Sequence, residues 1–225
     1  SELNEIFTDI YNAGYTGTLI VQDFIPGDDA AMYVLNAYSD ENGKVRAMCL
    51  GHCVLEDYTP AGIGNYNAIV QEGIQEVYDR YKAFLEAIGF VGFSNFDMKY
   101  DERDGKYKVF EINIRQGRSS FFTTVSGCNL TRYLVDDRIM HVPLSEVHYH
   151  NNPALWTHVP LKLLLQYAPD LSLPQIRRLI NEKKTGCTLL CEEDHTLYRT
   201  IMINRFYHQQ WARYKDWFNK RSISD

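Results

Sequence analysis

The stretch from Gly92 to Ser120, GFSNFDMKYDERDGKYKVFEINIRQGRSS, holds the residues best able to do chemistry. Two alternating runs flank Arg103-Asp104-Gly105, a turn signal that predicts a β-hairpin. A three-residue turn with Gly105 left-handed pairs Glu102 with Lys106. Carried back along the strands, that register sets Asp97 opposite Glu111 and Asn95 opposite Asn113. Phe96, Phe110, Ile112 and Ile114 then fall on the other face. A two-residue turn would slip the register by one and turn Asp97 against the apolar side. Opposed carboxylates lie about 5 Å apart at Cβ and repel, which destabilises an ordinary sheet. A hard divalent cation reverses the sign of that contact, because Mg²⁺ takes carboxylate, phosphate and water oxygens. Asp97, Glu111 and the Asn113 side-chain carbonyl form such a set, and the lack of His or Cys favours Mg²⁺ or Mn²⁺ over zinc. Arg115 and Arg118 follow at once, and Ser119-Ser120 opens a helix. Two guanidiniums and a helix N-terminus beside a metal pair make a polyphosphate site. A solvated hairpin face accounts for any one of these residues alone, but not for the joint alternation and spacing.

The segment EINIRQGRSS, residues 111–120, resembles the glutamate–x–asparagine–x–arginine signature of the ATP-grasp superfamily. The version with a second arginine and paired serines is that of carbamoyl phosphate synthetase large chains. Asp97 is similar to the upstream acid of the D-alanine–D-alanine ligase branch. The resemblance implies an ATP- and Mg²⁺-dependent ligase joining a small-molecule carboxylate to an amine, or a similar nucleophile, through an acyl-phosphate. It implies that Asp97, Glu111 and Asn113 hold the metal ions, while Arg115 and Arg118 steady the transferring phosphoryl group. LIVQDFIPGDD, residues 19–29, resembles the family's hinge. There the backbone of Asp23, Phe24 and Ile25 would recognise adenine, and Asp28 or Asp29 would hold the ribose hydroxyls. The resemblance covers about residues 18–130. Two phosphate-binding lysines expected upstream of the hinge have no counterpart, since no lysine precedes Lys44. The expectation is therefore a truncated enzyme that does not turn over alone. The rival is a non-catalytic nucleotide-binding module of ATP-grasp shape.

The elements that must position these groups are legible by period. Leu3, Ile6, Phe7, Ile10 and Tyr11 mark a helix over 2–13. A strand is predicted over 18–25, and a hairpin of 30–39 with 44–55 around Glu41-Asn42-Gly43. Residues 56–67 read as a loop, a lid or an ordinary surface loop. Ile74 to Ile88 carries a helical stripe closed by Gly89. The two site strands and one or two short helices follow, to about Met140. The tail reads as two helices, a hairpin (186–191 with 196–203) and a last helix. The fold class is α+β: an antiparallel sheet flanked by helices, as in a C-terminal ATP-grasp subdomain, plus a small α/β C-terminal extension.

Residues 1–142 carry 12 basic and 21 acidic side chains, whereas 143–225 carry 11 and 8. This asymmetry, with the Pro-bounded segment HVPLSEVHYHNNP, sets a boundary between an ATP-grasp part (1–142) and an extension (143–225). The overall charge of −6 excludes a broadly basic nucleic-acid binder. No apolar run reaches the ~20 residues that span a bilayer, so no membrane partner is expected. Five cysteines, an odd number, fit reduced thiols and a cytoplasmic location. A zinc site from Cys49, Cys53, Cys187 and Cys191 is outweighed by buried inert thiols, and His148 and His150 read as solvated linker. The aromatic stripe Tyr207, Trp211, Tyr214, Phe218 reads as packing rather than RNA binding. A homo-oligomer is left open.

Overall fold

The computed structural model describes residues 2–191, 193–194 and 196–221. Its chain order is α1 (Glu2–Asn12), β1 (Met32–Ser39), β2 (Val45–Glu56), β3 (Tyr66–Gln71), α2 (Gln75–Ala87), β4 (Gly92–Asp101) and β5 (Lys106–Asn113). Then come α3 (Phe121–Val125), α4 (Leu130–Arg138), β6 (His148–Tyr149), β7 (Leu155–Thr157), α5 (Leu161–Tyr167), α6 (Leu173–Asn181), β8 (Thr185–Gly186) and α7 (Leu197–Arg221). The β1–β2 hairpin forms as its turn residues dictate. Asp40 Oδ1 accepts from the amides of Asn42 and Lys44, each at 2.9 Å, and Gly43 takes φ +70°. The sheet runs β5-β4-β1-β2-β3-β7-β8, with β6 lying along the part of β2 that β3 leaves open. All pairs are antiparallel except β2–β6 and β7–β8. The sheet is thus continuous across residue 142, and strands from both sides of it share one ladder system.

Alternation divides the core. Leu35, Ala37 and Phe96 pack under α2, while Val34, Tyr38, Ile69 and Trp156 pack on the other face with Phe122 and Leu130 of α3 and α4. A third cluster joins Val54, Val70 and Leu155 to Leu163, Leu164, Ile176, Leu179 and Tyr214 of α5, α6 and α7.

Three expected elements differ. Residues 18–25 form no strand: Ile20, Val21 and Phe24 are 87%, 62% and 75% exposed, and no described strand pairs with them. Strand propensity needs a ladder partner to be realised. Conversely, β3 lies at the end of the expected loop and beyond it; buried along its whole length, it lacks the two-residue alternation that marks a strand. The tail hairpin is absent, because 185–186 makes only two strand residues and 197–203 is the first part of α7. A short run of Thr, Leu, Tyr and Ile suits either state, and here it continues into the long helix α7.

Candidate active site

The β4–β5 hairpin closes through a turn one residue longer than expected. Asp101 pairs with Lys106, not Glu102 with Lys106, around the four residues 102–105. Gly105 sits at φ +69° and its amide donates to the Asp101 carbonyl at 2.8 Å. A β-bulge then shifts the ladder between Asp97 and Met98, leaving Phe110 as the extra residue. Beyond it Asp97 faces Glu111 and Asn95 faces Asn113, as expected but by a different device. The bulge also corrects the assignment of Phe110. It lines a cavity with Lys99, and Glu111 lines one with Asp97, so these consecutive β5 residues serve the same side of the sheet.

A row of amides crosses three strands at this level: Asn36 faces Asn95, and Asn95 faces Asn113. Asn113 Nδ2 donates to Asp97 Oδ2 at 3.1 Å and to Asn95 Oδ1 at 3.4 Å; Asn95 Nδ2 donates to Asn36 Oδ1 at 3.3 Å. Asp97 Oδ1 accepts from the Tyr66 hydroxyl at 2.9 Å. Burial is the main cause pushing the Asp97 carboxyl up, opposed by those two donors, and the same burial raises the Tyr66 hydroxyl. Sequence reasoning passed over Asn36 and Tyr66. The signal for Asn36 was a lone amide inside the apolar strand MYVLNAYS.

Arg115 and Arg118 both line the same cleft, of about 160 Å³, with Tyr66, Asn95, Asp97, Glu111 and Asn113. Arg118 Nη2 donates to the Tyr66 carbonyl at 2.7 Å and to Asn67 Oδ1 at 3.4 Å, and burial lowers its affinity for the proton. The expected phosphate contact at Ser119-Ser120 takes another form. These residues form a tight turn before the five-residue α3, and Ser120 Oγ accepts from Gly117 N (2.9 Å) and donates to Asn36 Oδ1 (2.8 Å). That hydroxyl ties the arginine loop to β1.

The loop over 57–65 contributes Gly64 and Asn65 to the cleft rim and is closed on itself by bonds from Asp57 N to Asn65 O and from Asn65 N to Gly62 O, each 2.9 Å. A second cavity, of about 280 Å³, is lined by Gln22, Asp23, Phe24, Ile25, Met32, Lys99 and Phe110. Lys99 Nζ lies 5.3 Å from the centre of the Phe24 ring and donates to the Gly27 carbonyl. Asp28 and Asp29 line neither cavity. Asp28 caps its own turn, accepting from Ala30 N at 2.9 Å, and Asp29 accepts from the Tyr58 hydroxyl at 2.8 Å.

A D-aspartate ligase of Enterococcus faecium (strain Aus0004) is 48% identical over 223 residues, which cover 97% of this chain and 53% of that protein. The chain is thus similar to that ligase along nearly its whole length. It spans about half the length of that curated relative. No protein-family model matches it. The biotin carboxylase domain of Hydrogenobacter thermophilus 2-oxoglutarate carboxylase aligns over 55% of this chain and 28% of its own, at 12% identity and TM-score 0.41. An L-amino acid ligase from Bacillus licheniformis aligns over 48% and 29%, at 14% identity and TM-score 0.35. Likenesses this partial do not define the fold.

The donor set fits a hard cation: two opposed carboxylates and an amide in one cleft, with two guanidiniums beside them. Among the described residues no three His, Cys, Asp or Glu side chains gather as a metal site. Cys49 and Cys53 are buried in the core, Cys187 is half-buried and Cys191 is exposed. No described helix is long and apolar enough to cross a membrane.

Proposed function

We propose that the chain supplies the metal and phosphate side of an ATP- and Mg²⁺-dependent ligase that joins a small-molecule carboxylate to an amine through an acyl-phosphate. The observation that carries this reading is the convergence of Asp97, Glu111, Asn113, Arg115 and Arg118 on one cleft. On this reading Asp97, Glu111 and Asn113 would hold Mg²⁺, which when bound neutralises phosphate charge. Arg115 and Arg118 face the same space and offset the negative charge that develops as a phosphoryl group moves. The backbone of Asp23, Phe24 and Ile25 offers adenine its hydrogen bonds in the neighbouring cavity, and Asp28 and Asp29 stand at the following turn for the ribose. Residues 143–225 are an extension that adds strands to the same sheet, and the setting is the cytoplasm. The relative's name makes D-aspartate the first substrate to test.

The alternative reading is a nucleotide-binding module without turnover. The full-length protein separates the two. With MgATP, D-aspartate and a panel of amines, it should release ADP, and Glu111→Gln should abolish that release while the protein stays folded. Undiminished ADP release in Glu111→Gln would overturn the metal assignment. ATP binding with no ADP under any pairing would favour the module.

A further inference from the structure

Helix α7 lies outside the cleft, yet one side-chain amide connects it to Arg118. Asn67, on β3, is 1% exposed; its Nδ2 donates to the Tyr214 hydroxyl oxygen at 2.8 Å, and its Oδ1 accepts from Arg118 Nη2 at 3.4 Å. Tyr214, also 1% exposed, donates its own proton to the Glu56 carbonyl. That donation determines the polarity of the whole chain of bonds. A hydroxyl whose hydrogen is committed to a carbonyl can only accept from its other neighbour. The amide must therefore aim its NH₂ at Tyr214 and its oxygen at the guanidinium. With the Tyr214 hydroxyl gone, nothing at that end selects the orientation, and a turned amide would set a donor against a donor.

We infer that Tyr214 and Asn67 are positioning residues for Arg118: the C-terminal helix sets the orientation of the Asn67 amide, and that amide with the Tyr66 carbonyl aims the guanidinium into the cleft. The geometry stands by itself, while its effect on turnover rests on the ligase reading. Burial supports it. It disfavours the charged Arg118 and raises the Tyr214 hydroxyl, so Tyr214 stays protonated as a donor. A second limb runs from the same helix. The Tyr58 ring packs on Tyr214 and Phe218 (centroids 5.6 and 4.8 Å), and its hydroxyl donates to Asp29.

The test uses the full-length protein and the side-chain ¹⁵N–¹H signals of Arg118, assigned by their loss in Arg118→Lys. Tyr214→Phe keeps the ring and should shift those signals and speed guanidinium rotation, as should Asn67→Ala. Ile176→Val, a trim in the same core cluster, should lower stability and leave them in place. Asn67→Asp in the Tyr214→Phe background should restore slow rotation, because a carboxylate offers an acceptor in either orientation. In the active enzyme Tyr214→Phe should lower kcat about tenfold with the KM for ATP little changed. Unmoved Arg118 signals in Tyr214→Phe, an equal change in Ile176→Val, or no rescue by Asn67→Asp would each overturn the inference. Should the parent release no ADP, the ligase reading falls and the spectra still decide the relay.

Discussion

At the scale of single residues, the cleft is built from neutral amides and hydroxyls that hold charged groups in place. Asn95 and Asn113 satisfy each other and Asp97 without adding charge, which a buried site otherwise has to neutralise. His158 follows the same logic one step away. It is 8% exposed, packs against Trp156 and Phe206 (centroids 6.2 and 5.0 Å), and its backbone N–H donates to the Asn67 carbonyl. Burial, then the nearby Arg118 charge, pushes its pKa from 6.5 down to about 4. The folded state therefore binds His158 as the neutral ring while the unfolded chain protonates it first. The resulting stability is fully present above pH 6.5 and is lost as pH falls from there toward 4. In urea titrations between pH 7 and pH 4, His158→Gln should lose stability less steeply than the parent. Parallel curves would exclude that role for His158.

At the scale of elements, the bulge in β5 lets one strand serve two cavities, since Phe110 and Glu111 both reach the working side of the sheet. The turn alone would have paired the polar residues differently. The site's floor depends equally on Gly51, in the middle of β2, where a Cβ would meet Ile69 Cγ2 at 2.4 Å and the Phe122 ring at 2.9 Å. This close approach seats α3, and with it the Arg118 loop, on the sheet. Gly51→Ala should cost roughly 1–3 kcal/mol by overpacking, measured as a lower urea midpoint at unchanged slope. A stability equal to the parent would show that the helix shifts freely. The strand 18–25 failed as a prediction for a related reason: apolar content is local, whereas a ladder partner is not.

At the scale of the whole molecule, one sheet runs beneath all three clusters, and the extension closes its far end. The thiols report which parts open. Cys49, Cys53 and Cys128 are buried, and burial raises the Cys49 thiol and pushes Cys128 up to about 12. Cys191 is exposed and Cys187 half-buried. Because the thiolate is the reactive form, iodoacetamide under native conditions should modify Cys191 first, then Cys187. Peptide mass spectrometry should find the other three modified only in denaturant. Early labelling of Cys49 or Cys53 would show that the β2 centre opens far more readily than its packing implies.

The amino-acid sequence by itself determined the β1–β2 and β4–β5 hairpins and the helical stripes, because each depends on alternation or turn chemistry within about twenty residues. It also carried the resemblance that the 48% identical relative bears out. Tertiary structure alone decided the rest. The buried strand β3 depends on β2 and β7, and β7 lies far from it in the chain. The relay from Tyr214 through Asn67 to Arg118 likewise joins residues up to 147 positions apart. A local pattern specifies which residues share a face, but which group receives a given hydrogen bond is set only when the faces meet.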